Sequence, residues 1–164
     1  MIQQLDVVHY EHVSVRSFDE TVAVLERLVG SIENGFDKEV QGAEDEADFV
    51  SRIQAREGSS GFMRFQTINH GAWLRRVGID ARSILYILGN PLIARTMLVH
   101  HLGAGLNVPV RLTIYEDQAG AVRVAYDLPS SLMGGLANEN VTKAAKILDA
   151  KLVALGEQVA GVVA

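Results

Sequence analysis

The segment 108–115 alternates strictly: Val110, Leu112 and Ile114 fall on one side, and Arg111, Thr113 and Tyr115 on the other. Period-two alternation is the signature of a half-buried strand. Asp117-Gln118-Ala119-Gly120 reads as a turn, and Val122, Val124 and Tyr126 resume the alternation, so the two segments form an antiparallel hairpin. In 62–68, Met63, Phe65 and Thr67 alternate with Arg64 and Gln66 in another strand. Val7–Val15, with β-branched residues at both ends, is a further one. Ile84-Leu85-Tyr86-Ile87-Leu88 is apolar without alternation. That pattern predicts a central strand buried on both faces, or nearly so.

Helical spacing fills the intervals. Ser17-Phe18-Asp19-Glu20 is a capping box, followed by Phe18, Val22, Leu25 and Val29 at steps of four, three and four. Between 42 and 57, Glu44, Asp45, Glu46 and Asp48 precede Arg52 and Arg56, an order that suits a helix dipole. Phe49, Val50 and Ile53 give this helix only a thin apolar face, so it is expected at the periphery with its charges solvated. Asn69-His70-Gly71 leads into a short helix over 72–77, stopped by Gly78. Asn90 is a natural N-cap and Pro91 a natural first residue for a helix carrying Leu92, Ile93, Met97, Leu98 and His101, ended by Gly103. The last helix begins near Asn138 or Asn140 and runs to Val159. Its positions Val141, Ala145, Leu148, Leu152, Leu155 and Val159 make a four-three seam. The seam is expected to pack on its own sheet, with a twin helix as the alternative partner.

This element order predicts an α+β fold, a mostly antiparallel sheet with helices packed on one face, in one domain spanning 1–164. The chain has 164 residues, 48% of them apolar and 21% charged, which is the composition of a packed globular domain. It contains no cysteine, which excludes disulfides, thiolate metal sites and a cysteine nucleophile. The net charge of −5 argues against a duplex nucleic-acid partner. Apolar runs such as Ile84–Leu88 are far shorter than the roughly 20 residues of a membrane-spanning helix. The N-terminus lacks the pattern of a signal peptide. A cytoplasmic protein without a membrane partner is therefore expected.

Candidate chemistry is sparse. His9 and His12 point to opposite faces of one strand, and His100 and His101 diverge by about 100° on a helix, so neither pair is a metal site. No metal is expected, and nothing in the residues names a cofactor. Gly103-Ala104-Gly105 follows a helix and precedes a strand, the wrong setting for a dinucleotide loop. His70 at a strand end, Asn90 at a helix start and Tyr126 at a hairpin end are the polar groups best placed for a pocket. Each also has a plain structural reading: a backbone-bonded histidine, a helix cap and a rim aromatic. Arg64, Arg95 and Arg111 could hold a carboxylate or phosphate, or pair with acidic neighbours.

The ordered set Gly61-Phe62, Ile68-Asn69-His70, Val77-Gly78, Leu88-Gly89-Asn90-Pro91, Val108-Pro109, Ile114-Tyr115-Glu116-Asp117 and Val124-Ala125-Tyr126-Asp127-Leu128-Pro129 resembles the domain-of-unknown-function family 302. Ser17-Phe18-Asp19-Glu20-Thr21 is similar to that family's first helix start, and the resemblance covers about 13–155. Thr96 and Met97 match the stretch after the Asn-Pro helix start. Asn69 stands where the family has an acidic residue, and 42–60 reads as an acidic helical insertion. The resemblance implies a compact α+β domain, often a homodimer. Together these readings lead to a non-catalytic module that binds a small molecule or ion, with His70, Asn90, Thr96 and Tyr126 gathered near strand ends. Two alternatives stand beside it: an enzyme with His70 as general acid or base and Tyr126 as hydrogen-bond donor, and a structural or assembly protein.

Overall fold

In the computed structural model, which describes residues 2–162, the alternating segments become β1 (His9–Val13), β3 (Met63–Asn69), β4 (Ser83–Gly89), β5 (Val110–Glu116) and β6 (Val122–Asp127). A two-residue strand, β2 (Gly30–Ser31), completes a sheet of order β1-β6-β5-β4-β3-β2. Every pairing is antiparallel except β2 with β3. β4 is central, as its unbroken apolar run predicts. Its two faces differ: Tyr86 and Leu88 are enclosed on one, whereas Leu85 and Ile87 are half-buried on the other. The helices explain the difference, because they cover one face of the sheet.

That face carries Tyr86, Leu88, Val110, Leu112, Ile114, Val122, Val124 and Tyr126, all in the main core. Over it lie α1 (Phe18–Leu28), α5 (Pro91–Leu98) and α7 (Glu139–Ala160), with α1 and α5 both against α7. The Ser17–Glu20 capping box forms in full at the start of α1. Asn138 caps α7 by accepting from the N–H groups of Asn140 and Val141. All six seam positions of α7 are buried in the domain's own core, so the seam is used within the chain. On the opposite face, Glu11 accepts from Tyr115 at 2.5 Å and from Arg123 at 2.9 Å, and Arg123 also reaches Asp117. A polar network thus covers the β1–β6–β5 part of that face.

A bulge between Arg64 and Gln66 changes what β3 presents. Arg64 pairs with Leu88 and Thr67 with Tyr86, so Arg64 and Thr67 share the helix-covered face instead of opposing one another.

A helix α2 (Phe36–Gly42) precedes the acidic stretch, which itself folds as α3 (Glu46–Gln54). The sequence pattern predicts the second of these but not α2 or β2, which are too short to show a period. Both helices pack on a small separate core of Ile32, Ile53 and Met63, flanked by Phe36, Phe49, Phe65 and Leu92. Glu39 ties them together, accepting from Arg56 at 2.5 Å and pairing with Arg52. Gly30 is required where this unit meets the sheet, since a Cβ there would lie 1.8 Å from the Arg56 carbonyl oxygen. α4 (His70–Leu74) starts two residues before the predicted position, because the Asn69 side chain accepts from the Ala72 N–H at 2.8 Å and caps it. A last short helix, α6 (Pro129–Leu132), leads toward α7.

Helix α7 approaches β6 closely at Gly156, where a Cβ would come within 2.5 Å of the buried Tyr126 ring. Gly156→Ala should therefore destabilise the protein by about 1–3 kcal/mol through overpacking, despite alanine's higher helix propensity. Urea unfolding of this variant beside Gly134→Ala, whose added methyl meets open space, checks this. Equal stability of the two would refute the close packing.

Candidate functional site

Asn90 sits where β4 turns into α5. Its Oδ1 accepts from the Leu92 N–H at 2.8 Å, and its Nδ2 donates to Glu57 at 2.7 Å and to the Gly61 carbonyl at 2.9 Å. Pro91 follows at the first helical position, where its missing N–H costs nothing. Both amide protons and the carbonyl of Asn90 are thus committed, and the residue is buried. It joins the β4–α5 elbow to the loop before β3, which is a structural task.

The elbow opens onto a cavity of about 360 Å³. Ile93 and Leu98 of α5, Leu148 of α7, Val108 before β5, Phe65 of β3 and Phe36 of α2 supply its apolar walls. The cavity lies on the boundary between the main core, which contains Leu148, and the smaller one, which Phe36 and Phe65 flank. Phe36 and Phe65 meet edge-on at 5.3 Å and hold that side open. Gly89 keeps the floor low, because a Cβ would crowd Pro109 and Phe65 at 3.1 and 3.3 Å. Arg95 is the cationic residue among those lining the cavity. Its guanidinium donates to Glu46 of α3 at 2.7 Å, in a pair exposed on both sides. Such a pair is worth only about 0–1 kcal/mol and is readily exchanged. The dimensions and apolar walls are those of a small-molecule site.

A second cavity, of about 350 Å³, is more polar and lies on the opposite sheet face, between Ile87, Arg111, Asp127, Leu106 and Pro129. Asp127 is held there by His9 at 2.7 Å.

The four residues singled out from the sequence do not share one pocket. Asn90 lines the apolar cavity as its committed cap. His70 follows the other end of β3, and the pairings Asn69–Ile84 and Met63–Gly89 put it and Asn90 at opposite ends of two strands. At about 3.3 Å per residue that separation is on the order of 20 Å. The His70 ring is half-buried, and its Nδ1 accepts from the Trp73 indole N–H at 3.0 Å, which leaves the ring proton on Nε2. Thr96 is exposed on α5 and its hydroxyl donates to the Ile93 carbonyl at 2.7 Å. Tyr126 is a core residue. It stacks on Tyr10 at 5.6 Å, and its hydroxyl bonds His12 Nε2 at 2.9 Å. Burial, helped by the nearby Glu157 carboxylate, pushes its phenol well above the usual tyrosine range.

A third polar group lies under α1. Tyr86 donates to Glu26 at 3.3 Å and Arg64 donates to the same oxygen at 3.1 Å. Burial first, and the Glu26 charge second, push the Tyr86 phenol upward. Arg64 Nε and Thr67 Oγ1 are buried here without a partner. Among the described residues, no three His, Cys, Asp or Glu side chains come together as metal ligands.

The cavity walls were not legible in sequence, because Phe36, Phe65, Val108 and Leu148 come from four distant segments. Gly89-Asn90-Pro91 was the one local sign, and it marks the elbow beside the cavity.

The family model described as domain of unknown function DUF302 matches residues 36–159. The crystal structure of a DUF302 protein from Bacillus stearothermophilus has the same fold, with a TM-score of 0.66 over 92% of this chain and 97% of that one, at 18% identity. Among curated proteins, the fluoride-specific ion channel FluC 1 of Brucella suis biovar 1 is 28% identical over 94 residues, which is 57% of this chain and 37% of the channel. FluC 2 of Brucella melitensis biotype 1 is likewise 28% identical over 94 residues, 35% of its length. The chain thus matches about a third of the length of these relatives. No helix among the described residues is long and apolar enough to cross a membrane.

Asn90→Ala would leave Glu57, the Gly61 carbonyl and the Leu92 N–H without their partner. It should lower stability by about 1–3 kcal/mol, more than a typical exposed cap, and should loosen the cavity floor. Chemical denaturation measures this, and a loss within error of zero would show that the elbow does not depend on Asn90.

Proposed function

The chain belongs to the DUF302 family, and from that premise and its cavity we propose that it is a non-catalytic module that binds a small, largely apolar molecule. The observation that supports this is the cavity of about 360 Å³ between two hydrophobic cores, walled by apolar side chains and bordered by one guanidinium. The cavity is partly open to solvent, and a concave apolar surface of this size beside a fixed elbow is suited to an occupant. The binding reading is preferred over one with His70 as general acid or base. His70 lies at the far end of β3 from the cavity, and an indole rather than a carboxylate orients its ring. The module is further read as a homodimer, as the family resemblance implies. Its α7 seam is already buried within the chain, so another surface would make the contact.

Methyl NMR titration of the full chain with octan-1-ol tests the binding reading. Saturable shifts at Ile93, Leu98, Val108 and Leu148 are expected in the wild type. They should vanish in Ala94→Trp, which fills the cavity from α5. Shifts that never saturate, or that survive Ala94→Trp, would overturn the reading. Light scattering of the same samples should give twice the chain mass, and a monomer would remove the dimer.

A second, ion-linked reading is favoured by the likeness to the Brucella channels, which are named for fluoride. Among the described residues, the buried side-chain atoms without a hydrogen-bond partner, Arg64 Nε and Thr67 Oγ1, belong to neighbours on one sheet face. A fluoride titration followed at the Arg64 side-chain N–H tests it. A saturating shift lost in Thr67→Val supports an ion site, and a linear or absent response refutes it.

A further inference from the structure

We propose that the occupant of the apolar cavity is an organic monocarboxylate, its hydrocarbon body against Phe36, Phe65 and Leu148 and its carboxylate on Arg95 in place of Glu46. The inference rests on the binding reading and names the ligand class. Three observations carry it. First, the polar lining offers a carboxylate no free amide donor: both Nδ2 protons of Asn90 are committed, to Glu57 and to the Gly61 carbonyl. Second, the cationic group remaining in the lining is Arg95, whose planar fork matches a carboxylate. Third, Arg95 already holds a carboxylate, that of Glu46 on α3, at 2.7 Å in a solvent-exposed pair. The Arg95 guanidinium is thus already seen bound to a carboxylate, and a ligand reaching it from the cavity would compete with Glu46 for it.

The charge surroundings restrict the ligand further. Glu46 and Glu57 flank the elbow, and the chain as a whole carries −5. A single guanidinium can neutralise one negative charge. A phosphate monoester or dicarboxylate would bring a second, uncompensated charge next to these carboxylates. An amine would be drawn to the glutamates, but its head would then face Arg95 as a like charge. A cavity of about 360 Å³ lies toward the small end of small-molecule sites, which suits a short hydrocarbon body. Glu46 lies on α3, which packs with α2, and α2 contributes Phe36 to the wall. Exchanging Glu46 for the ligand would thus release one tie between this helical pair and α5.

Octanoate, octan-1-ol and octylamine titrated into the full chain, with methyl NMR as the readout, test the inference. Wild-type protein should bind octanoate about threefold to fivefold more tightly than octan-1-ol, the value of one solvent-exposed ion pair. Arg95→Gln should reduce octanoate to the level of octan-1-ol while leaving octan-1-ol unchanged. Glu46→Gln, which removes the competing carboxylate, should tighten octanoate. Arg95 and Glu46 are both exposed, so these variants should fold as the wild type does, and their unliganded spectra verify that. Equal affinity for acid and alcohol, or an octanoate affinity indifferent to Arg95→Gln, would overturn the carboxylate and leave the apolar site standing. Failure of both octanoate and octan-1-ol to saturate would overturn the site itself.

Discussion

Burial of the α7 seam against the inner face of the sheet is the interaction on which the rest of the molecule depends. Six positions of one long helix disappear into a surface built by β4, β5 and β6. Each fully buried aliphatic side chain contributes about 1.5–3 kcal/mol relative to exposure, so this single contact outweighs any polar interaction in the fold. It also sets distances. Gly156 lets the helix axis come down onto Tyr126, and α1 and α5 then pack on either side of a helix whose height is already decided.

From that height follows the cavity. Leu148 reaches down from α7 at one wall, while the opposite wall belongs to a second, smaller core organised by Ile32, Ile53 and Met63. Two cores that each satisfy their own packing meet along a seam that neither fills. The elbow at Asn90 spans the seam by hydrogen bonds instead of by side-chain volume. Polar groups there are spent on holding the two parts together, which leaves the cavity itself apolar. Arg95 lines the cavity while its guanidinium is held by Glu46 in a weak exposed pair, the least costly of the polar contacts beside it.

Elements with a long, regular period were legible in the chain. The hairpin of β5 and β6, the capping box of α1, the cap and proline of α5 and the seam of α7 all appear where local pattern predicts them. In each case the local preference and the tertiary demand coincide. Legibility failed where an element was too short to have a period, as in β2 and α2, and where one irregular residue reset the period. The bulge in β3 turned Arg64 and Thr67 onto the same face, against the simple alternation. The site failed for a different reason. His70, Asn90, Thr96 and Tyr126 all stand near element ends, but a sheet has two ends and two faces, and sequence spacing does not say which of them a residue occupies.

Taken alone, the order of residues determined the layer architecture, because amphipathic period is a local property that each segment carries with it. It also determined the cap at Asn90, whose partners include the N–H two residues onward. Which side chains surround a common space was decided only by the tertiary structure. Phe36, Phe65, Val108 and Leu148 are brought together by strand order and helix packing, and those depend on contacts between residues far apart in the chain.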